Sequence, residues 1–371
     1  MNSSITSNYY LDRFKFSEQE IFTSPEGDLN LVIVIPSFKE PLLIDSLESL
    51  LACETPNKAT EVIIMINCSE MLAETRGVSE EAFAVAIDWA EKNSQKNLQF
   101  HVIKNLYLPK KHAGVGLARK IGMDEAVRRL ELANNPQGVI VCFDADSKVD
   151  SNYLVEIEKH FDENPKTPAC SIHYEHPLNG VLNDGNYVGI VNYEMHLRYY
   201  IHALKYAGYI NAYQTIGSSM AVRSFVYQKQ GGMNRRKAGE DFYFLQQLAK
   251  YDSIHVIDKI LVHPSPRPEQ RVYLGTGFRM KNIKNDILFS DLYIKKEAYD
   301  ALKIFYQIIE KKWDFNSVEI MSSIIKNNIK LKGYLESNNF VKALRQIQKN
   351  SINKKQLLDQ FHRWFDNLKI Y

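Results

Sequence analysis

The first half of the chain contains four short apolar runs that are continuous rather than alternating. They cover residues 31–35, 62–66, 98–103 and 139–143. Continuous runs of this length, rich in Val and Ile, are typical of parallel strands that are covered on both faces. Segments with apolar residues at helical spacing lie between them, at 40–53, 79–93 and 114–132, with Ser79 as a plausible N-cap. The alternation predicts a doubly wound α/β sheet.

The second half has a mixed pattern. Residues 169–174 and 256–262 are typical of strands, and residues 186–209 and 239–251 of helices. From about residue 281 the pattern is helical and basic, with thirteen Lys or Arg against six Asp or Glu over residues 301–371. We therefore expect a helical extension that packs against the main domain or a partner, or that presents a solvated face.

Composition narrows the class of protein. A net charge of +2 over 371 residues is too small to argue for nucleic-acid binding. The four cysteines form no Cys-x-x-Cys pair, which favours reduced thiols in a cytoplasmic protein over a disulfide or zinc framework. The first residues lack the apolar core of a signal peptide, and no stretch approaches the ~18 consecutive apolar residues of a membrane span.

Two carboxylates, Asp144 and Asp146, follow the apolar run at 139–143. Ligands of open α/β sheets bind at the carboxyl ends of the strands, where these side chains are expected. Hard divalent cations are held by one or two carboxylates together with substrate phosphates. The pair therefore suggests a metal-bridged diphosphate site, and the alternative is a helix N-cap followed by a solvated acid.

Five motifs follow one another between residues 30 and 265. They are LVIVIPSFKE at 31–40, GVGLARKIGMDEA at 114–126, the strand that ends in Asp144-Ala145-Asp146, GSSMAVR at 217–223 with Gly231-Gly232-Met233, and Gly239-Glu240-Asp241. In this order they resemble the motifs of the family-2 glycosyltransferases. No single motif is specific, but five in sequence make chance an unconvincing explanation.

The resemblance implies the glycosyltransferase-A fold: a mostly parallel central sheet flanked by helices, with a Rossmann-like nucleotide half fused to an acceptor half. It implies a metal-dependent, inverting transfer from a nucleoside-diphosphate sugar. The expected domains are an N-terminal arm (1–28), a catalytic domain (29–280) and the basic helical extension (281–371). The nucleotide-sugar half would cover residues 29–150 and the acceptor half residues 151–280.

The same resemblance assigns the metal ligands. Asp146 would ligate Mn²⁺ or Mg²⁺, while Asp144 would partly ligate the metal and lean towards the ribose. Similar enzymes place a histidine where His263 stands, as a third ligand, and an imidazole would favour Mn²⁺ over Mg²⁺. The alternative for His263 is a hydrogen-bonded loop residue.

The catalytic base would be Asp241, with Glu240 on the acceptor hydroxyls. An inverting transfer needs a carboxylate to take the proton of the attacking hydroxyl. Because Asp241 lies in the first turn of a predicted helix, we expect the macrodipole to keep it ionised at neutral pH. The alternative is a pair of helix-capping acids.

Other residues are expected around the donor. Pro36, Ser37 and Glu40 would line the nucleotide pocket, Asn67 would lie beside the base, and Arg119 would lie near the ribose or diphosphate. In the loop that follows His263, Arg267 or Arg271 would clamp the phosphates, unless this is an ordinary surface loop. The sequence says less about the acceptor side. A sugar-stacking cleft would be lined by His173, Tyr174, His176 and the tyrosines of 193–213, and the alternative is a Tyr-rich core helix.

Two departures from the family pattern matter. Asn67 stands where the family usually has an Asp that reads uracil, which leaves GDP- and TDP-sugars open as donors. The Gln-x-x-Arg-Trp motif of processive synthases is absent, so polymerisation is not expected. The acceptor would be a carbohydrate or a lipid-linked glycan, in surface or secreted glycan biosynthesis. Alternatives are a retaining transferase, a nucleotidyltransferase, or a non-catalytic scaffold whose basic tail docks a partner or the membrane surface.

Overall fold

The computed structural model describes residues 9–270, 275–282 and 293–370. The described residues form one eight-stranded sheet with helices. The strands are β1 (Leu31–Ser37), β2 (Thr60–Ser69), β3 (Leu98–Leu108), β4 (Val139–Cys142), β5 (Lys148–Val149), β6 (Ala169–Tyr174), β7 (Met220–Arg223) and β8 (His255–His263). The helices are α1 (Tyr9–Phe14), α2 (Leu43–Leu51), α3 (Ala73–Asn93), α4 (Val115–Leu132), α5 (Tyr153–Glu163), α6 (Asp184–Ala207), α7 (Ser224–Lys229), α8 (Glu240–Ala249), α9 (Thr276–Asn282), α10 (Lys296–Lys311), α11 (Ser317–Asn327), α12 (Leu331–Ser337), α13 (Phe340–Lys349), α14 (Lys354–Trp364) and α15 (Asn367–Ile370).

Four adjacent strands in the order β3-β2-β1-β4 are parallel. The residues at 31–35 and 62–65 have no exposed surface, as expected for strands covered on both faces. The other half of the sheet is mixed, because β7 runs antiparallel to both β4 and β6 while β8 runs parallel to β6. This α/β architecture confirms the predicted fold class, and its parallel part is the half assigned to the nucleotide.

Two elements differ from their predicted bounds. Helix α3 begins at Ala73, so Ser79 lies buried inside the helix instead of capping it. Strand β3 runs to Leu108, beyond the predicted end at 103. It lies at the edge of the sheet, where one face can be polar, and the polar residues after 103 therefore do not end it.

Helix α4 carries charged residues that are buried. Arg129 donates to both carboxylate oxygens of Glu61, at 2.8 and 2.6 Å, and Lys120 lies 3.0 Å from Asp124. Removing charges from water is costly unless each has a partner, so these pairs must form together as the helix packs.

The N-terminal arm lies against α4. The Tyr10 and Tyr227 hydroxyls both donate to Asp124 Oδ1, at 2.7 and 2.8 Å. The Tyr10 hydroxyl also lies against Gly232, where a Cβ would be only 2.0 Å away and where φ is +77°. Glycine is therefore required at 232 both for its backbone conformation and for the space it leaves.

The chain divides into two compact units. Unit 1 comprises Met1–Val191 and Gln214–Asn285, and unit 2 comprises Asn192–Tyr213 and Asp286–Tyr371. The predicted boundary at residue 281 is close to the point where the chain re-enters unit 2. Unit 2 also includes residues 192–213, which we expected in the acceptor half of the catalytic domain.

Unit 2 has an aromatic core of its own. Phe305 packs against Phe361 and Phe365, and Tyr209 stacks on Tyr306 with ring centroids 6.2 Å apart. Tyr209 and Tyr213 are buried, which favours a core role for these tyrosines over a sugar-stacking cleft. Within the described ranges, none of the helices has the length and apolar character needed to cross a bilayer.

Candidate active site

The two acids Asp144 and Asp146 follow β4 at the carboxyl edge of the parallel strands. The Phe143 N–H donates to Val34 O at 3.1 Å, which joins the end of β4 to β1. The side chains of Asp144 and Asp146 keep about a third of their surface exposed, at 33% and 32%. Both carboxylates are therefore partly accessible to a ligand at the edge where open α/β sheets bind one.

Arg119, on α4, joins three of the sequence motifs. Its Nη1 donates to Glu240 Oε1 at 2.6 Å, and its Nη2 donates to Asp144 Oδ1. Its side chain is only 2% exposed. Burial alone would lower the pKa of Arg119, but the carboxylates of Asp144 and Glu240 outweigh it and raise that pKa. The guanidinium of Arg119 holds two acids of the protein, and its expected place near the ribose or diphosphate stays a prediction.

The space for this guanidinium depends on Gly217. A Cβ at Gly217 would lie 2.4 Å from Arg119 Nη2 and 2.6 Å from Nη1. The start of α4 is equally close to the segment that leads to Glu240, since a Cβ at Gly116 would lie 2.3 Å from Arg236 O. The sequence motifs contain both glycines, but nothing in the sequence indicates which atoms approach them.

We expect Gly217→Ala to displace the Arg119 guanidinium, with a loss of stability of about 1–3 kcal/mol from overpacking and a fall in transfer activity. Thermal unfolding and turnover measure the two effects. Gly77→Ala is the matched control, because a Cβ there meets nothing within 4 Å in α3 and alanine favours a helix. Unchanged stability and turnover in Gly217→Ala would show that the contact is unimportant.

Glu240 and Asp241 begin α8, after Gly239 in a left-handed conformation with φ 67°. Glu240 is 4% exposed, and the Asn234 side chain donates to its backbone oxygen at 2.8 Å. Burial raises the pKa of Asp241, and of Glu240 as well, although Arg119 opposes the rise. Desolvation thus opposes the effect that we expected of the helix terminus on Asp241, and the ionised state of this residue at neutral pH stays a prediction.

Arg267 lies between Glu40 and the Asp146 carboxylate. It donates to both Glu40 oxygens, at 3.0 and 2.7 Å, and to Glu269 at 3.3 Å, and its Nη2 is 3.9 Å from Asp146 Oδ2. Burial raises the pKa of Asp146 to about 7, helped by the charges of Asp144 and Glu40 and opposed by Arg267. The structure thus brings together Glu40, Asp146 and Arg267, whereas Arg271 lies outside the described residues. Sequence reasoning missed Glu269, which had no motif to mark it.

The predicted base-side residues lie at the ends of β1 and β2. Pro36 and Ser37 are the last two residues of β1, and Asn67 is near the end of β2. The Asn67 side-chain amide donates to Ser37 O at 2.9 Å, and Asn67 is only 7% exposed. This hydrogen bond uses one amide hydrogen of Asn67 and fixes the position of its side chain next to β1.

His263 is the last residue of β8 and has other partners. Its Nε2 lies 2.9 Å from Asp150 Oδ1, and its Nδ1 lies 3.1 Å from Glu175 O. Across the described part of the chain, no three His, Cys, Asp or Glu side chains are grouped in a way that could hold a metal ion. The structure does not group His263 with the two acids, and both of its ring nitrogens have other partners. Its role as a ligand stays a prediction.

The family model for glycosyl transferase family 2 matches residues 32–231, which is more than half of the chain. The chain therefore belongs to glycosyl transferase family 2 and is a glycosyltransferase. The match ends before Glu240, Asp241 and Arg267, so the roles of these residues rest on the geometry described above. No curated protein matches the sequence.

Solved structures give weak similarities. The crystal structure of S. aureus TarS 1-349 is 12% identical over 90% of both chains, with a TM-score of 0.43. The same protein in complex with UDP-GlcNAc is 14% identical over 91% of both chains, also with a TM-score of 0.43. The mannosyltransferase PcManGT from Pyrobaculum calidifontis, in complex with GDP-Man and Mn²⁺, is 13% identical over 97% of this chain and 94% of that chain, with a TM-score of 0.42. At these values the family model alone carries the assignment.

Proposed function

We propose that this protein transfers a sugar from a nucleoside-diphosphate sugar to an acceptor hydroxyl, with inversion at the anomeric carbon and with the help of a divalent cation. The observation that carries the proposal is the Arg119 bridge between Asp144 and Glu240. It links the acid at the end of β4 to the acid pair at the start of α8. Donor-binding and proton-accepting carboxylates would thereby be kept at one site of unit 1.

The donor set at the end of β4 fits a hard cation. Asp146, and partly Asp144, supply partly accessible carboxylate oxygens, and the neighbouring acids Asp144 and Glu40 add to the rise that burial causes in the pKa of Asp146, while Arg267 opposes it. Oxygen ligands suit Mg²⁺ and Mn²⁺. When bound, such an ion would act as a Lewis acid towards the diphosphate leaving group. His263 is the candidate for a further ligand only if it gives up its present partners.

Asp241 would accept the proton of the acceptor hydroxyl. A general base works best when its pKa is not far below the working pH, because a very weak base has little driving force for proton transfer. Burial shifts the pKa of Asp241 upward, in the favourable direction. Glu240 would remain bound to Arg119 and keep the first turn of α8 in position, while its remaining oxygen would meet the acceptor.

Arg267 would serve as the phosphate clamp. A guanidinium that now holds Glu40 through two hydrogen bonds can hold two phosphate oxygens with the same planar geometry. Glu40 would then compete with the diphosphate for Arg267. The base of the donor would lie beside Asn67, which replaces the Asp that reads uracil in the family and so favours GDP- and TDP-sugars over UDP-sugars.

Nucleotide binding gives the first test. Thermal unfolding is followed with UDP, GDP, TDP and CMP and their common sugars, with and without Mn²⁺. A ligand at 100 times its Kd stabilises the native state by about 2.7 kcal/mol. A shift with one nucleotide only when Mn²⁺ is present supports the proposal and names the donor class. The absence of any shift contradicts it, and release of pyrophosphate or a retained anomeric configuration would favour the alternative reactions.

Asp146→Asn tests the metal. We expect the variant to fold normally and to lose roughly 10²-fold in metal-dependent turnover, because a carbonyl oxygen replaces a charged ligand. Release of nucleoside diphosphate is measured over a range of Mn²⁺ concentrations. Asp258→Asn, on the exposed part of β8, is the control for the loss of one acid. Wild-type turnover and metal dependence in Asp146→Asn would contradict the assignment.

A further inference from the structure

Two turns meet at one end of unit 2. The first, residues 312–316, joins α10 to α11, and the second, residues 350–353, joins α13 to α14. Gln348 Nε2 donates to Trp313 O at 3.2 Å and to Phe315 O at 2.5 Å, and so ties the two turns together. We name residues 311–318 and 348–355 the two-turn tip.

The two-turn tip exposes large apolar side chains. Phe315 is 44% exposed, Val318 53% and Ile352 91%. Single exposed apolar residues are normal on protein surfaces, but here Phe315 and Ile352 lie on two turns that one glutamine ties together, and Val318 lies in the first turn of α11, close to Phe315 in the sequence. Apolar side chains exposed in this way at the end of a helical unit can enter another apolar phase without rearrangement of the helices.

Several backbone N–H groups of the two-turn tip have partners within the protein. The Asn316 side chain accepts from the N–H groups of Val318 and Glu319, at 3.1 and 2.9 Å. The Ile352 N–H donates to Gln356 Oε1 at 2.9 Å, and the Gln356 N–H donates to Asn353 Oδ1 at 2.9 Å. Since an unpaired N–H is costly away from water, these caps reduce the cost of moving both turns into a less polar medium.

The two-turn tip is rich in lysine. The tip contains Lys311, Lys312, Lys349, Lys354 and Lys355, and its own acid is Asp314, with Glu310 and Glu319 at its margins. Lys312 lies with its ammonium 5.0 Å from the centre of the Phe315 ring, and Lys354 lies 3.5 Å from Glu310. Long lysine stems can cover apolar surface while their charges reach outward. The sign of the charge is complementary to an anionic surface.

We propose that the two-turn tip docks on a bilayer of anionic lipids, with Phe315, Val318 and Ile352 entering the interface and the lysines contacting the headgroups. Apolar insertion combined with electrostatic attraction is how surface-bound segments hold to membranes without crossing them. Turns whose N–H groups have partners, together with neighbouring lysines, favour a lipid surface over an acidic protein. A bilayer interface would cover the exposed apolar side chains more completely than the surface of an acidic protein. The proposal does not depend on the reaction proposed above.

The test is flotation of the full chain with vesicles of phosphatidylcholine alone or mixed with phosphatidylglycerol. We expect binding to the mixed vesicles only, with a loss at about 1 M salt, where screening is short-ranged. The double variant F315S/I352S should bind at least about tenfold more weakly, because two apolar anchors are lost. Both side chains are exposed, so thermal unfolding should be unchanged.

Ile329→Ser is the matched control. Ile329 is 64% exposed, has lysines as neighbours in the sequence, and follows the opposite end of α11, which is about 16 Å long. Its variant should bind the mixed vesicles like the wild type. Equal binding to both kinds of vesicle, no binding, or equal losses in the control and the double variant would overturn the proposal. Self-association that F315S/I352S abolishes, without vesicle binding, would make the tip an interface between copies of this chain.

Discussion

Asp241→Asn is expected to lower the rate of sugar transfer by about 10²–10⁴-fold while donor binding is retained. The amide has nearly the shape of the carboxylate, and it can still accept the hydrogen bond from the Phe242 N–H that Asp241 accepts at 2.7 Å. It has no basic oxygen with which to take the proton of the acceptor hydroxyl. Turnover is measured as nucleoside diphosphate released in the presence of acceptor, and donor affinity by thermal shift.

The pH dependence of the same variant distinguishes a base from a structural acid. Since burial raises the pKa of Asp241, wild-type turnover should fall as the pH is lowered through that value, where the carboxylate becomes protonated. Asp241→Asn should lose this limb of the profile. Exposed Asp258, changed to Asn, should leave both turnover and the profile as they are. A small loss of rate with an unchanged acid limb would assign the base to another group.

Arg119→Met should be the most destabilising single change at the site, with a loss of about 3–5 kcal/mol. Removing one partner of a buried pair leaves the other charge without compensation. Here two carboxylates, Asp144 and Glu240, lose the same guanidinium. Chemical denaturation measures the free energy of unfolding. Transfer activity should fall with it, because α8 would no longer be tied to the end of β4.

The loss in Arg119→Met should depend on pH. Without Arg119 the pKa of Glu240 rises further above its value in the unfolded chain, so the native state holds the proton more tightly. A group whose pKa is raised on folding contributes to the free energy of unfolding at low pH, and this contribution is lost as the pH rises through the raised pKa. The destabilisation should therefore be larger at pH 8 than at pH 5. Adding Glu240→Gln to Arg119→Met should recover part of it, and additive losses that do not vary with pH would contradict the bridge.

The parallel half of the sheet could be predicted because its signal is local. Every residue from Leu31 to Ile35 is apolar and fully buried, so the sequence pattern and the structure carry the same information. The motif around Asp144 and Asp146 was visible for a similar reason, since the two acids directly follow such a run. Helix α3 was placed too late because a serine followed by two glutamates imitates a helix start inside a longer helix.

Pairing between distant residues could not be predicted. Arg119 and Glu240 are 121 positions apart, and the partners of Arg267 lie up to 227 positions away. Single-sequence patterns show where a helix buries apolar residues but give no sign that α4 also buries Arg129 against Glu61. For the same reason the sequence indicated that His263 could ligate a metal and could not indicate that Asp150 would engage it.

The contacts of the N-terminal arm bear on any attempt to make a smaller version of this enzyme. The family motifs begin at β1, which invites truncation just before Leu31. Such a chain would lack the Tyr10 hydroxyl, and Asp124 and Lys120 would lose one of the groups that keep them paired out of water. Gly232, on the segment that leads to Glu240, would lose its contact with the Tyr10 hydroxyl at the same time. We therefore expect the smallest active fragment to include the arm residues that contact α4, which lie upstream of the first recognisable motif.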